Sequence, residues 1–235
     1  MLVGDIATPF GPARIFGHLR NLSPTRPLVL LLRGAFPGHT QMFDLPGRLT
    51  EADVLIGDLP GMDGSPVLRP LTLENFAAFW DAAMRSGFGH RPFVLAGVSA
   101  GGVVGSMMQT PAALVALDPP MSAKGMLPLI RNLTPFLEGR TEADREWAQA
   151  ILHAEADYRD AVLSSRLPGL VLAGNRVRVG ERLRSLISPD DLALLAAHPT
   201  LRLKVIPQAG HNLPRDAPDA VVSAIREAIA LMSVR

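Results

Sequence analysis

Phe93-Val94-Leu95-Ala96-Gly97-Val98-Ser99-Ala100-Gly101-Gly102 carries an apolar run straight into the pattern G-x-S-x-G and on into helix-compatible residues. A strand that turns this sharply into a helix lifts the serine hydroxyl to the top of a parallel sheet and strains the serine backbone. The small residues at 97 and 101 fit that turn, because it packs its neighbours close and glycine tolerates the crowding. The string itself is short enough to arise by chance, so its surroundings have to carry the reading.

Those surroundings read as α/β. Short apolar runs at 28–32, 53–57, 93–97, 113–117, 169–173 and 202–206 have the length and composition of buried strands. Longer amphipathic stretches lie between them, which predicts a mostly parallel sheet flanked by helices rather than an all-α or all-β domain. Residues 13–19 and a stretch near Asp5 are expected to pair as an antiparallel opening. Leu73, Phe76, Trp80 and Ala83 form one apolar helical stripe, and Val221, Ile225, Ile229 and Met232 form another, with Asp216 as the expected N-cap. After Pro119 and Pro120 the rhythm breaks: no strand pattern appears, and 141–163 reads as a charged helical segment. The interval 121–166 is therefore expected to be a helical cap inserted into a single domain over 1–235.

The chain has 235 residues, of which 48% are hydrophobic and 19% charged, with a formal net charge of +1. That balance is globular and gives no electrostatic reason to expect nucleic acid or an anionic membrane as partner. Cysteine is absent, which excludes disulfides, thiolate metal sites and a cysteine nucleophile. Met1-Leu2-Val3-Gly4-Asp5 has neither a basic n-region nor an apolar continuation, and no apolar run approaches membrane-spanning length, so cytoplasmic residence is the expectation.

A serine hydroxyl is a weak nucleophile and needs a base within hydrogen-bond reach, itself oriented by a third group. Of the six histidines, His211 stands out, because Val205-Ile206-Pro207-Gln208-Ala209-Gly210-His211-Asn212 follows a predicted strand directly. A loop at the C-terminal end of a parallel strand lies at the same edge of the sheet as the serine's turn. His39, after Phe36-Pro37-Gly38, has two readings, a loop-surface residue or a border of the same pocket, while His18, His90, His153 and His198 read as structural or solvated. Asp118 follows the run at 113–117, one strand–helix–strand return beyond Ser99. A carboxylate there would hold the histidine tautomer, the alternative being a cap for the Pro119-Pro120 turn.

An oxyanion would need backbone N–H donors. Ala100 is one candidate, and Ala35 or Phe36, in Arg33-Gly34-Ala35-Phe36-Pro37-Gly38, is the other. No metal or organic cofactor is implied, and the expected partner is a small-molecule acyl ester or thioester. Arg33 is open to two readings, a tie within the oxyanion loop or a contact to a substrate anion. Met107 and Met108 read as core filler.

Four blocks in order resemble the α/β-hydrolase superfamily over nearly the whole chain: the loop 33–38, Asp58-Leu59-Pro60-Gly61-Met62-Asp63-Gly64-Ser65, the elbow at 97–102, and Pro207-Gln208-Ala209-Gly210-His211. The resemblance implies a mostly parallel sheet of about eight strands, a serine acyl-enzyme mechanism and a lid at 121–166. Two positions depart from it. Members usually carry a histidine before the first loop glycine and an aspartate three residues beyond the glycine that ends the seventh strand, where this chain has Arg33 and Val177. Glu181 is the nearest carboxylate further along. The thioesterase domains of polyketide and peptide synthetases place the acid after the sixth strand instead, and Asp118 and the S-A-G-G of the elbow are similar to that branch. Three readings follow. One is a serine hydrolase of esters or thioesters using Ser99, His211 and Asp118, with Glu181 as the alternative acid. The others are an acyltransferase and a hydrolase fold that binds a ligand without turnover.

Overall fold

Alternation along the central strands builds two cores, one on each face of a sheet. In the computed structural model, which describes residues 3–17, 22–35, 40–62, 65–131, 133–175 and 183–232, β3 (Leu28–Leu32) is buried at every position. Its Leu28, Leu30 and Leu32 point into one core and its Val29 and Leu31 into the other. β5 (Phe93–Val98) and β6 (Ala113–Leu117) divide their side chains in the same way. Burial on both faces is why these strands read as unbroken apolar runs.

β1 (Val3–Ile6), β2 (Ala13–Phe16), β4 (Asp53–Gly57), β7 (Gly169–Ala173) and β8 (Leu201–Val205) complete an eight-stranded sheet in the order β1-β2-β4-β3-β5-β6-β7-β8. β1 and β2 pair antiparallel, β2 joins β4 antiparallel, and every other pairing is parallel. The α/β-hydrolase architecture implied by the sequence is thus present. Boundaries move by a residue or a few: β2 stops at Phe16 rather than residue 19, β5 runs on to Val98, and β8 begins at Leu201.

α1 (Leu73–Phe88) and α2 (Ala100–Met107) cover one face, and α8 (Leu213–Asp216) with α9 (Pro218–Met232) the other. The stripe Leu73, Phe76, Trp80 and Ala83 is buried as the spacing predicts, and Thr72 caps α1 by accepting from the Asn75 N–H. Val221 and Ile225 are buried on α9, with Ile229 and Met232 packed at the margin. Met108 is buried and Met107 packs beside it, in keeping with core filler. Asp216 differs from expectation. It ends α8, and its carboxylate accepts from the Gly210 N–H and pairs with Arg215. Among the described residues, no helix is long and apolar enough to cross a membrane.

Between β6 and β7 the chain is helical, with α3 (Ala123–Ile130), α4 (Leu133–Leu137), α5 (Glu142–Ile151) and α6 (Arg159–Leu163). The single helical segment expected over 141–163 is therefore two helices. α5 opens with a capping box between Thr141 and Asp144. It closes where the Tyr158 hydroxyl donates to the Ile151 carbonyl at 2.7 Å. Tyr158 also donates its backbone N–H to the Met121 carbonyl at 2.7 Å, and Ser122 bridges Asp157. No glycine or proline lies in 152–157, so a long-range pairing interrupts a sequence with no local breaker.

This excursion is tied down by α7 (Pro189–Ala196), whose Asp191 is fully buried. The Ser122 and Ser188 hydroxyls donate to its Oδ2 at 2.7 and 2.6 Å, and Arg159 Nε donates to its Oδ1 at 2.8 Å. Burial opposes the charged carboxyl. The hydrogen bonds from Ser188, Arg159 and Ser122, with the charge of Arg159, outweigh it and hold the group below the usual carboxylate range. A folded value below the unfolded one gives stability that is fully present above about pH 4 and lost as pH falls through the folded value. Asp191→Asn is accordingly expected to lower stability by roughly 2 kcal/mol near neutral pH, read as a lower melting temperature. The gap to wild type should narrow in acid, and an equal gap at about pH 3 and pH 7 would contradict the assignment.

Candidate active site

Ser99 stands between β5 and α2 with φ 55° and ψ −126°, in the left-handed half of backbone space. Among the described residues only Ser99 and Asp118, at φ 47°, adopt positive φ without being glycine. Such conformations cost on the order of 1–3 kcal/mol each and persist only where the surroundings fix them. Around Ser99 the fixing is steric. A Cβ on Gly97 would overlap the Gly101 carbonyl, and a Cβ on Gly101 would lie 2.7 Å from the Leu32 carbonyl oxygen. Glycine at both positions lets the strand and helix backbones close on each other and push the serine outward.

The Ser99 N–H donates to the Leu117 carbonyl at 2.9 Å. That bond locks the elbow to the end of β6, and the next residue is Asp118. Asp118 is fully buried, and its carboxylate is surrounded by donors. Oδ1 accepts from the Gly174 N–H at 2.9 Å and the Ser185 hydroxyl at 2.6 Å. Oδ2 accepts from the Leu186 N–H at 2.8 Å and lies 2.7 Å from His211 Nδ1. The sequence-predicted histidine and aspartate, from loops after β8 and β6, are therefore in direct contact.

His211 is held from its backbone as well. Its N–H donates to the Leu183 carbonyl at 2.7 Å, and the preceding Gly210 N–H donates to Asp216 Oδ2 at 2.8 Å. With Nδ1 against the carboxylate, Nε2 lies on the opposite edge of the ring. Exposure orders the three groups: Ser99 keeps 7% of its surface accessible and His211 6%, whereas Asp118 keeps none. Ser99 and His211 thus keep a little exposed surface, while the carboxylate that backs His211 is sealed inside.

Ala100 opens α2, so its N–H belongs to the first turn, where no carbonyl four residues back can accept it. Ala35 is half-buried in the loop after β3. Phe36 and His39 lie outside the described residues, as do Val177 and Glu181. Arg33 is buried and forms an ion pair with Asp58 at the end of β4, its guanidinium 5.0 Å above the Phe43 ring. Its backbone N–H donates to Gly57 at 3.1 Å. Asp58 is the partner of Arg33 that sequence reasoning missed. His198 is also structural, with Nε2 3.1 Å from the Leu163 carbonyl and Nδ1 accepting from the Thr200 and Leu201 N–H groups. In the sequence nothing distinguishes Ser185 and Leu186 from ordinary loop residues. Among the described residues no group of three or more metal-ligating side chains is assembled.

The sequence matches the alpha/beta hydrolase family over residues 29–224. No curated protein matches it. Among solved structures, a thermophilic esterase from Thermogutta terrifontis is similar at 23% identity, with 99% of each chain covered and a TM-score of 0.65. The thioesterase domain from the curacin biosynthetic pathway is similar at 17% identity, covering 96% of this chain and 99% of that one, with a TM-score of 0.66. Naproxen esterase from Bacillus subtilis is similar at 17% identity, covering 96% of this chain and 90% of that one, with a TM-score of 0.68. Identities this low speak for the fold alone, while the family match spans most of the sequence. The chain belongs to the alpha/beta hydrolase family.

Proposed function

We propose that the protein is a serine hydrolase that cleaves a carboxylic ester or thioester through an acyl-enzyme. The observation that carries this reading is the 2.7 Å contact between His211 Nδ1 and a fully buried Asp118, at the sheet edge where Ser99 sits in its strained turn. Ser99 Oγ attacks the acyl carbon while His211 Nε2 takes its proton, and the tetrahedral oxygen is held by the Ala100 N–H together with Ala35 or Phe36. His211 then gives the proton to the departing alkoxide or thiolate. Water repeats the sequence on the acyl-enzyme, releasing the acid and restoring Ser99. Asp118 stays a carboxylate throughout, holding the imidazole tautomer and stabilising the imidazolium.

Thioesters enter through the placement of the acid. Asp118 follows the sixth strand, as in the thioesterase branch that the sequence resembles, and a thioesterase domain is among the similar folds at 17% identity. The reading as a binding protein without turnover drew its motive from the missing carboxylate at Val177. Asp118 in contact with His211 offers a carboxylate in its place, which supports turnover over binding alone.

A fluorophosphonate probe is expected to label the wild-type protein and to leave Ser99→Ala unlabelled; a folded wild type that stays unlabelled would refute the scheme. Asp118→Asn should cut kcat by a factor of about 10⁴ through the wrong histidine tautomer. Glu181→Gln should leave it near wild type, and the reverse ranking would reassign the acid. p-Nitrophenyl esters and acyl-CoA thioesters of graded acyl length supply the substrates for both measurements.

A further inference from the structure

Residues 183–186, ahead of α7, meet both the candidate acid and His211. Leu183 accepts the His211 N–H at 2.7 Å, the Ser185 hydroxyl donates to Asp118 Oδ1 at 2.6 Å, and the Leu186 N–H donates to Oδ2 at 2.8 Å. One short strap thus touches both the histidine and the acid. It is itself anchored, since the Ser185 N–H donates to the Asn175 carbonyl at 3.0 Å.

Ser185 is fully buried and its hydroxyl is oriented from two sides. Oγ accepts the Ile187 N–H at 3.1 Å, which directs its proton to the carboxylate, an acceptor only. The carboxylate can rotate about its Cβ–Cγ bond, and rotation would swing Oδ2 away from the imidazole. Besides His211, its partners are two backbone amides and Ser185, so the serine is the side-chain contact among them that substitution can remove. Family members usually carry the acid itself on the segment after the seventh strand; here the strap supplies donors to an acid that sits on the neighbouring strand.

We propose that Ser185 is a positioning residue, whose hydroxyl fixes the plane of the Asp118 carboxylate so that Oδ2 meets His211 Nδ1. The inference rests on the Ser99–His211–Asp118 reading and adds a fourth member that never touches substrate. A serine that merely satisfies its own buried hydroxyl would affect stability but not the chemical step.

The test measures kcat and KM on p-nitrophenyl acetate, with thermal melts, for wild type, Ser185→Ala and Ser185→Thr, and for Ser185→Ala in the Asp118→Asn background. Loss of one charge-assisted hydrogen bond should lower kcat about tenfold or somewhat more, with KM unchanged. Ser185→Thr, which keeps the hydroxyl, should recover most of that loss. In the Asp118→Asn background, Ser185→Ala should cost little further, because the two residues act through the same hydrogen bond to His211. An equal loss in both backgrounds, or wild-type kcat in Ser185→Ala beside a crippled Asp118→Asn, would overturn the positioning role while leaving the triad intact. Full activity in Asp118→Asn would instead overturn the triad and this inference with it. Should Ser185→Ala melt early, Ser185→Cys replaces it, with nearly the same volume and a much weaker donor.

Discussion

The contact between Asp118 and His211 sets the terms for the rest of the molecule. A carboxylate buried without compensation is penalised by several kcal/mol, so a sealed Asp118 demands donors from every side. They come from separate stretches of chain: Gly174 at the end of β7, Ser185 and Leu186 on the strap beyond it, and His211 after β8. Three neighbouring parallel strands must end at one level for these groups to converge. The registers of β6 with β7 and of β7 with β8 supply that level.

The elbow depends on the same edge. Ser99 and Asp118 share the rare positive φ, and the Ser99 N–H is bonded to the carbonyl immediately before Asp118. Strain at the two positions is thus absorbed by one stretch of sheet. The Arg33–Asp58 pair does comparable work one strand over, tying the end of β3 to the end of β4. Where many relatives carry a histidine, this chain places a buried guanidinium that is already engaged with a carboxylate and an aromatic ring.

Much of this was legible in the sequence, for physical reasons. Strands buried on both faces must be apolar at every position, so β3, β5, β6 and β7 announce themselves as unbroken runs. Glycines at 97 and 101 mark the tight turn, and loops that follow parallel strands put Asp118 and His211 at one edge of the sheet. What stayed hidden rests on contacts between residues far apart in sequence. The break between α5 and α6 comes from Ser122 pairing with Asp157, and no local breaker signals it. Asp216 has the sequence position of a helix cap, yet its carboxylate reaches back to Gly210. Ser185 looks like any loop serine until the end of β6 is brought beside it.

Whether a hydroxyl, an imidazole and a carboxylate act as one unit at this edge can be read from a crystal structure of the protein inactivated by a p-nitrophenyl phosphonate. The expected adduct has phosphorus bonded to Ser99 Oγ, a phosphonyl oxygen at the Ala100 N–H, His211 Nε2 within hydrogen-bond reach, and Nδ1 still on Asp118. An adduct on another residue, or an imidazole turned away from Ser99 with Asp118 bonded elsewhere, would contradict it.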